Sequence, residues 1–176
     1  MSGSERRSET TEAEADFGRI SQILLTNSWF QDIPEYLREA IIQAGRLRLY
    51  ENGTYVHFQG DESDGIYAVL DGAVKVSSLS PEGNECVFRY LAPGSWFGEI
   101  AVLDNAGRTH DALAIGTTEV LLVPTRNLEV ILDAHPVLYK YFSSLLCRII
   151  RTAFTMLSDS NHLSVSARLA KRLLSF

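Results

Sequence analysis

A chain of 176 residues that is 45% hydrophobic and 22% charged can bury one substantial core with little chain left over, so one main domain is expected. Its net charge of -6 argues against a surface built to lie along nucleic acid, which needs clustered Lys and Arg. Two cysteines, Cys86 and Cys147, with no CxxC pair and no His set at ligand spacing, argue against a disulfide framework and a structural zinc site, and fit a reducing compartment.

The first 16 residues are polar and charged and cannot repay the entropy of ordering, so a disordered tail is expected over 1–16. They lack the apolar run of a signal peptide. No later stretch reaches the roughly 18 to 20 uncharged apolar residues of a membrane span, so a cytoplasmic protein without membrane contact is expected. From Phe17 to Ala44 the positions Phe17, Ile20, Ile23, Leu24 and then Leu37 and Ile41 follow helical spacing, interrupted from Ser28 to Pro34. That pattern predicts two short helices.

From Gly45 to Val123 the period changes to two. The segments RLRLY, TYVHF, GIYAVL, AVKVSSL, ECVFRYL and TEVLLV read as short strands. Between them stand Asn52-Gly53, Asp71-Gly72 and Pro81-Glu82-Gly83, which read as hairpin turns because Asn-Gly and Asp-Gly accept positive φ. The fold class expected is mainly β with flanking helices, an antiparallel sandwich or barrel occupying residues 17–124 together with the N-terminal helices.

After Pro124 the helical period returns, and residues 125–160 are expected to be helical. TRNLEVILDA forms the first helix, with Thr125 as a candidate cap. Beyond His135-Pro136 a long helix carries two apolar stripes. Leu138, Phe142, Leu145, Ile149, Thr152 and Met156 recur at steps of four and three, a coiled-coil seam. Tyr141, Leu146, Ile150, Ala153 and Leu157 lie beside it. One stripe can cover the helix's own domain and the other needs a partner, so a parallel homodimer is expected. The alternative is a helix wholly buried within a monomer, although Lys140, Arg148 and Arg151 mark a third face that meets water. Residues 161–176, NHLSVSARLAKRLLSF, read as a hinge and, with Ser164 or Ser166 as its cap, the first amphipathic helix of a further domain.

Within the β region, FGEIAVLDNAGRTHDA breaks the alternation with a predicted helical turn from Glu99 to Leu103. Gly98 permits close backbone approach, the helix start offers N–H groups to a phosphate, Glu99 can accept from sugar hydroxyls, and Arg108 can hold two phosphate oxygens in a fork. Thr109 adds a hydroxyl. Sugar at one end and phosphate at the other describes a nucleotide. A structural ion pair of Arg108 with Glu99 or with Asp111 explains the same residues.

His57 reads as a half-buried strand residue, His135 as part of a helix junction and His162 as part of the hinge. Cys86 reads as a strand residue and Cys147 as a buried small apolar group. Trp29 with Phe30 and Trp96 with Phe97 read as packing pairs. No metal site is expected.

The chain from about Ile20 to Phe176 resembles the Crp/Fnr family of bacterial transcription regulators. LYENGTYVHFQGDESDGIYAVLDGAVKV is similar to that family's opening strands and PGSWFGEIAVLDNAGRTHDA to its phosphate-binding cassette. The resemblance implies a cyclic-nucleotide-binding jelly roll, a double-stranded β-helix, with a cyclic nucleotide such as cyclic AMP as allosteric ligand. It implies that Glu99 holds the ribose 2'-hydroxyl and Arg108 the cyclic phosphate, with Gly98, Ile100, Ala101 and Thr109 lining that end. It also implies a long dimerisation helix, and DNA contact through a winged helix-turn-helix whose first helix is SARLAKRLLSF. Two departures stand out. His110 is bulky and Asp111 negative where small residues are frequent, and Thr152, Ala153, Phe154 and Thr155 stand at the base end where a Thr-Ser pair is expected.

The function expected is therefore an effector-binding and dimerisation module, not an enzyme. Alternatives are a jelly-roll sensor of another ligand, a constitutive dimer, a regulatory domain of a kinase or channel, and a cupin-like metal enzyme. The last needs a His and acidic cluster, and no HxH pair occurs. Iron-sulfur sensing needs an N-terminal cysteine cluster that residues 1–30 lack.

Overall fold

A computed structural model of the chain describes residues 16–162. The expected tail, apart from Asp16, and the expected helix SARLAKRLLSF lie outside the described residues. The chain divides into two compact units, one ending at Tyr139 and one beginning at Lys140.

The first unit opens with three helices where two are expected: α1 (16–24), α2 (Ser28–Asp32) and α3 (Glu35–Gln43). The additional one arises because Asn27 Oδ1 accepts from the backbone N–H groups of Trp29 and Phe30 at 3.0 and 3.4 Å, satisfying donors that a helix start leaves open. Trp29 and Phe30 are thereby turned into the core. Trp96 meets the first edge-on at 5.6 Å and stacks on the second at 5.3 Å. All of these rings are buried, as their packing role requires.

Six strands follow: β1 (Arg46–Tyr50), β2 (Tyr55–His57), β3 (Gly65–Leu79), β4 (Glu85–Leu91), β5 (Trp96–Phe97) and β6 (Asp111–Pro124). Every pairing is antiparallel, in the order β1-β6-β3-β4, with β2 also on β6 and β5 on β3. This is the antiparallel, mainly β architecture with flanking helices that the patterning predicts, in the form of the jelly roll that the resemblance implies. Tyr67, Val69, Val74, Leu91, Phe97, Ala112, Val120 and Leu122 form its core.

Two of the expected hairpin turns have another role. Asp71-Gly72 lies inside the 15-residue β3, where the register with β6 shifts on either side of Asp71. Both flanking segments pair the same partner, so the positive φ of Gly72, 74°, bends the strand instead of reversing it. A Cβ there would stand 2.5 Å from the Thr117 carbonyl oxygen, and buried Thr118 ties the bend by donating to the Ala73 carbonyl at 3.0 Å. Asn52-Gly53 likewise joins β1 to β2, which pair in succession along β6. Asn52 Oδ1 accepts from Gly116 N–H at 2.8 Å, fastening this joint to the matching bend of β6. Pro81-Glu82-Gly83 does reverse the chain, between Leu79 and its partner Glu85.

The helix α4 (Glu99–Asp104) interrupts the strands, and α5 (Thr125–Ala134) follows them. Thr125 is not the cap of α5. It is the first helical residue, and its hydroxyl donates to the Ser63 carbonyl at 3.2 Å. The long helix α6 (Leu138–His162) runs two residues into the segment read as a hinge. On its predicted seam Leu138 and Phe142 are buried, Leu145 and Ile149 half-buried, and Thr152 and Met156 exposed. Lys140, Arg148 and Arg151 are exposed. Cys147 is also exposed, contrary to the expected burial, because it lies on neither apolar stripe. Cys86 is an exposed residue of β4.

Candidate functional site

The site begins where β5 ends. Tyr67 of β3 pairs with Phe97, and the next residue, Gly98, takes a left-handed φ of 84° that turns the chain into α4. A Cβ on Gly98 would stand 2.4 Å from Arg108 Nη1, so glycine is required for the guanidinium to approach.

Arg108 is only 2% exposed. Its Nη1 donates to the Gly98 carbonyl at 2.9 Å, while Nη2 donates to Asp64 Oδ1 at 2.5 Å and to the Gly65 carbonyl at 2.7 Å. Its Cζ stands 5.4 Å from the centre of the Tyr67 ring, a cation over an aromatic face. Nε has no partner. The backbone of Arg108 is fixed as well, donating to Asp61 O and accepting from Gly60 N, both at 2.8 Å. Tyr67 donates its hydroxyl to Asp64 Oδ2 at 2.6 Å, and burial followed by that bond raises its phenol pKa.

Glu99, the first residue of α4, is 7% exposed, and its Oε2 has no hydrogen-bond partner. Burial holds its carboxyl pKa above the ordinary value, opposed by its own backbone N–H and by the charges of Arg89 and Arg108. Neither ion pair that the sequence allows is formed. Arg108 takes Asp64 as its carboxylate partner, and Asp111 Oδ1 accepts from the Gln59 N–H at 2.7 Å instead. Asp111 is thus satisfied by backbone and not by the guanidinium. Thr109 Oγ1 lies 2.9 Å from His110 Nδ1, and the His110 ring meets Phe88 edge-on at 4.5 Å.

His57 completes the wall. Its ring centre is 6.0 Å from those of both Tyr67 and Phe97, which stack on each other at 5.1 Å. Both of its nitrogens are buried without partners. Burial, and after it the repulsion of Arg108, pushes its pKa down to about 4.

One segment therefore gathers Gly98, Glu99, Ile100, Ala101, Arg108 and Thr109, of which Glu99, Ala101 and Arg108 are buried, Gly98 and Ile100 half-buried and Thr109 exposed. Thr152, Ala153, Phe154 and Thr155 belong to the helical unit and are exposed on α6. The hydroxyls of Thr152 and Thr155 donate to carbonyls one turn back, each at 3.0 Å. Asp64, Tyr67 and Arg89 escape a sequence reading. Alternation in β4 offers the one usable signal, since Arg89 and Leu91 share a face and Leu91 is apolar. Among the described residues no group of three His, Cys, Asp or Glu is placed to hold a metal, and no helix is long and apolar enough to cross a membrane.

The arrangement offers a buried donor fork and a buried acceptor that do not satisfy each other. Comparison with known proteins gives it a context. The family model of the cyclic nucleotide-binding domain matches residues 47–135. The cyclic AMP receptor protein of Thermus thermophilus is 31% identical over 106 residues, 60% of this chain and 49% of that one. A CRP-like cAMP-activated global transcriptional regulator of Mycobacterium tuberculosis is 26% identical over 155 residues, 88% of this chain and 69% of that one. Among solved structures, the catabolite activator protein of Thermus thermophilus superimposes with a TM-score of 0.68 at 26% identity, covering 75% of this chain and 62% of the other. The chain thus spans between about half and about seven-tenths of the length of these relatives.

Proposed function

This chain belongs to the cyclic nucleotide-binding domain family, and on that premise we propose that it is the effector-binding and dimerisation module of a Crp/Fnr-type transcription regulator, with a cyclic nucleotide as its ligand. The observation that carries this reading is the pair of buried opposite charges, Glu99 and Arg108, that do not pair with one another. A buried carboxylate oxygen without a donor is costly, and a sugar hydroxyl would relieve it.

Arg108 takes the cyclic phosphate, exchanging the Asp64 carboxylate and backbone carbonyls for phosphate oxygens in a fork. Gly98, Ile100, Ala101 and Thr109 line that end with backbone N–H groups and a hydroxyl. Glu99 accepts from the ribose. Thr152, Ala153, Phe154 and Thr155 remain the base-end candidates that the family resemblance implies, where a phenylalanine could only stack or block. The helix α6 pairs with a second copy along Leu138, Phe142, Leu145, Ile149, Thr152 and Met156. DNA contact falls to a domain outside the described residues, and the module works in the cytoplasm without catalysis. Ligand then acts by favouring one pre-existing arrangement of the dimer over another.

Calorimetric titration with cyclic AMP, cyclic GMP and cyclic di-GMP tests the reading. Heat of binding is expected for at least one of them, and Arg108→Ala is expected to abolish it. Absence of heat for all three would overturn the nucleotide reading and leave the jelly roll as a sensor of some other ligand.

A further inference from the structure

Strict alternation in β2 would turn His57 away from the core, because its neighbour Val56 packs against that core. The register with β6 shifts between Tyr55 and His57, however, and His57 comes to stand opposite Ala112, a core residue. Such a bulge re-aims a side chain, here into the barrel, and bulges collect beside ligand sites. The imidazole meets the rings of Tyr67 and Phe97, each with its centre 6.0 Å away. Arg108 stands over the same Tyr67 ring, with Cζ 5.4 Å from its centre. The imidazole and the guanidinium thus share one aromatic wall.

Packing alone does not account for a histidine there. A neutral imidazole carries one donor and one acceptor, and neither nitrogen of His57 has a hydrogen-bond partner although both are buried. The groups that face the ring explain why it stays neutral without ligand. Asp61 and Asp64, from the loop between β2 and β3, and the backbone of His110 favour its charged form, but burial and the charge of Arg108 outweigh them. Tyr67 brings no charge, since its hydroxyl keeps its proton and donates it to Asp64 Oδ2. Phe97 and Ala112 are neutral.

Resting on the cyclic-nucleotide reading, we propose that His57 is a second cationic contact for the ligand's phosphate, charged only while the phosphate is bound, so that binding takes up a proton from solvent. A phosphate at Arg108 cancels the repulsion that keeps the ring neutral and adds an attraction of its own. It adds little burial, because both nitrogens are already out of water. The balance between burial and charge therefore tips towards the imidazolium, whose two N–H groups then have an anionic acceptor. Ligand affinity consequently rises as the pH falls. Glu99 acts in the reverse sense: burial favours its protonated form, and it gives up that proton where the carboxylate accepts from the ribose. Substitution of His57 separates the two contributions.

The test is calorimetric titration of the full chain with cyclic AMP, cyclic GMP and cyclic di-GMP at about pH 5.5 and about pH 7.5, each in two buffers of different ionisation enthalpy, which reads the protons taken up on binding. It is made on the unaltered protein, on His57→Phe and on His57→Gln, whose side chain hydrogen-bonds without titrating. For the ligand that binds, the unaltered protein is expected to take up close to one proton more than either variant at the lower pH, and almost none more at the higher. Its affinity relative to the variants should rise about tenfold between the two, the gain that follows when the bound imidazole returns from about 4 to its ordinary 6.5. The ring resonances of His57 in nuclear magnetic resonance should show the same displacement of midpoint on saturation with ligand. A merely structural histidine would alter the stability of the variants and leave their proton uptake equal to that of the unaltered protein. That result, or a midpoint unmoved by ligand, would overturn the proposal and leave the cyclic-nucleotide reading standing. No heat from any of the three nucleotides would overturn both.

Discussion

Arg108 donates through Nη2 to Asp64 Oδ1 at 2.5 Å, joining two residues 44 positions apart in the chain. The guanidinium side chain is 1% exposed and the carboxylate 56% exposed, so the pair spans the barrel wall from inside to water. Tyr67 fixes the same carboxylate from its other oxygen. In the unliganded barrel a carboxylate thus already occupies one arm of the fork that the proposed phosphate would use.

Removing that carboxylate should separate stability from binding. Asp64→Ala is expected to cost about 1 kcal/mol in denaturant unfolding, since an exposed partner is well screened and the Gly98 and Gly65 carbonyls remain. Affinity for the cyclic nucleotide that binds should rise several-fold because a competing anion is gone. Unchanged affinity in calorimetry would show that Asp64 does not compete.

Glu99 makes a prediction about pH. Its pKa is raised in the folded chain by burial, from an ordinary 4.5, so the folded state holds its proton more tightly than the unfolded state. Its contribution to stability is fully present below 4.5 and is lost as the pH rises through the raised value. Glu99→Gln should remove that dependence and raise the melting temperature of the unliganded protein at neutral pH. Ligand affinity should fall about tenfold or more, because the hydrogen bond from the ribose loses the charge of its acceptor. A parallel pH profile of melting temperature for the two proteins would contradict it.

His57 works in the opposite sense. Its pKa is lowered from 6.5 to about 4, so the unfolded chain binds the proton first on acidification. The stability it contributes is complete above pH 6.5 and drains away as the pH falls towards 4, about 3 kcal/mol in all. His57→Phe keeps an aromatic ring between Tyr67 and Phe97 and should flatten the acid limb of the stability profile between those values. Denaturant melts of both proteins at pH 7.0 and about pH 5 read the difference.

The seam of α6 predicts an oligomeric state. Sedimentation at micromolar concentration should give a species of twice the 19.6 kDa chain mass. Ile149→Glu with Met156→Glu should give the single-chain mass without altering the far-ultraviolet signal of the helix, because a buried charge without a partner opposes association at a seam. A single-chain mass for the unaltered protein would remove dimerisation from the proposed function.

The elements that could be read from sequence are those with a local cause. TRNLEVILDA is helical over Thr125–Ala134, as its period says, and RLRLY and ECVFRYL are strands at their own residues. The turn of helix at Glu99 was legible because it breaks an alternation. Asn52-Gly53 and Asp71-Gly72 misled because positive φ serves a bend as well as a reversal. Which one occurs depends on what the flanking strands pair with, and both flanks pair with β6. The same limit hid the partner of Arg108: nothing near residue 108 points to Asp64. Asn27 was a missed local signal, a cap standing just before the break read from Ser28 to Pro34.

The ladder of β3 on β6 runs from Gly65 opposite Pro124 to Ser77 opposite Asp111. Glu99 and Arg108 both lie within the loop closed by its last rung, while Asp64 stands next to its first. Arg108 reaches its partners Asp64 and Gly65 only after contacts between residues 44 and 43 positions apart have formed, and contacts of such separation are the slow ones. Recovery of ligand binding after dilution from denaturant is accordingly a clock for the last stage of folding, and a lengthened tip at Ser80–Asn84, which adds little closure entropy, is the place to fix a reporter without disturbing it.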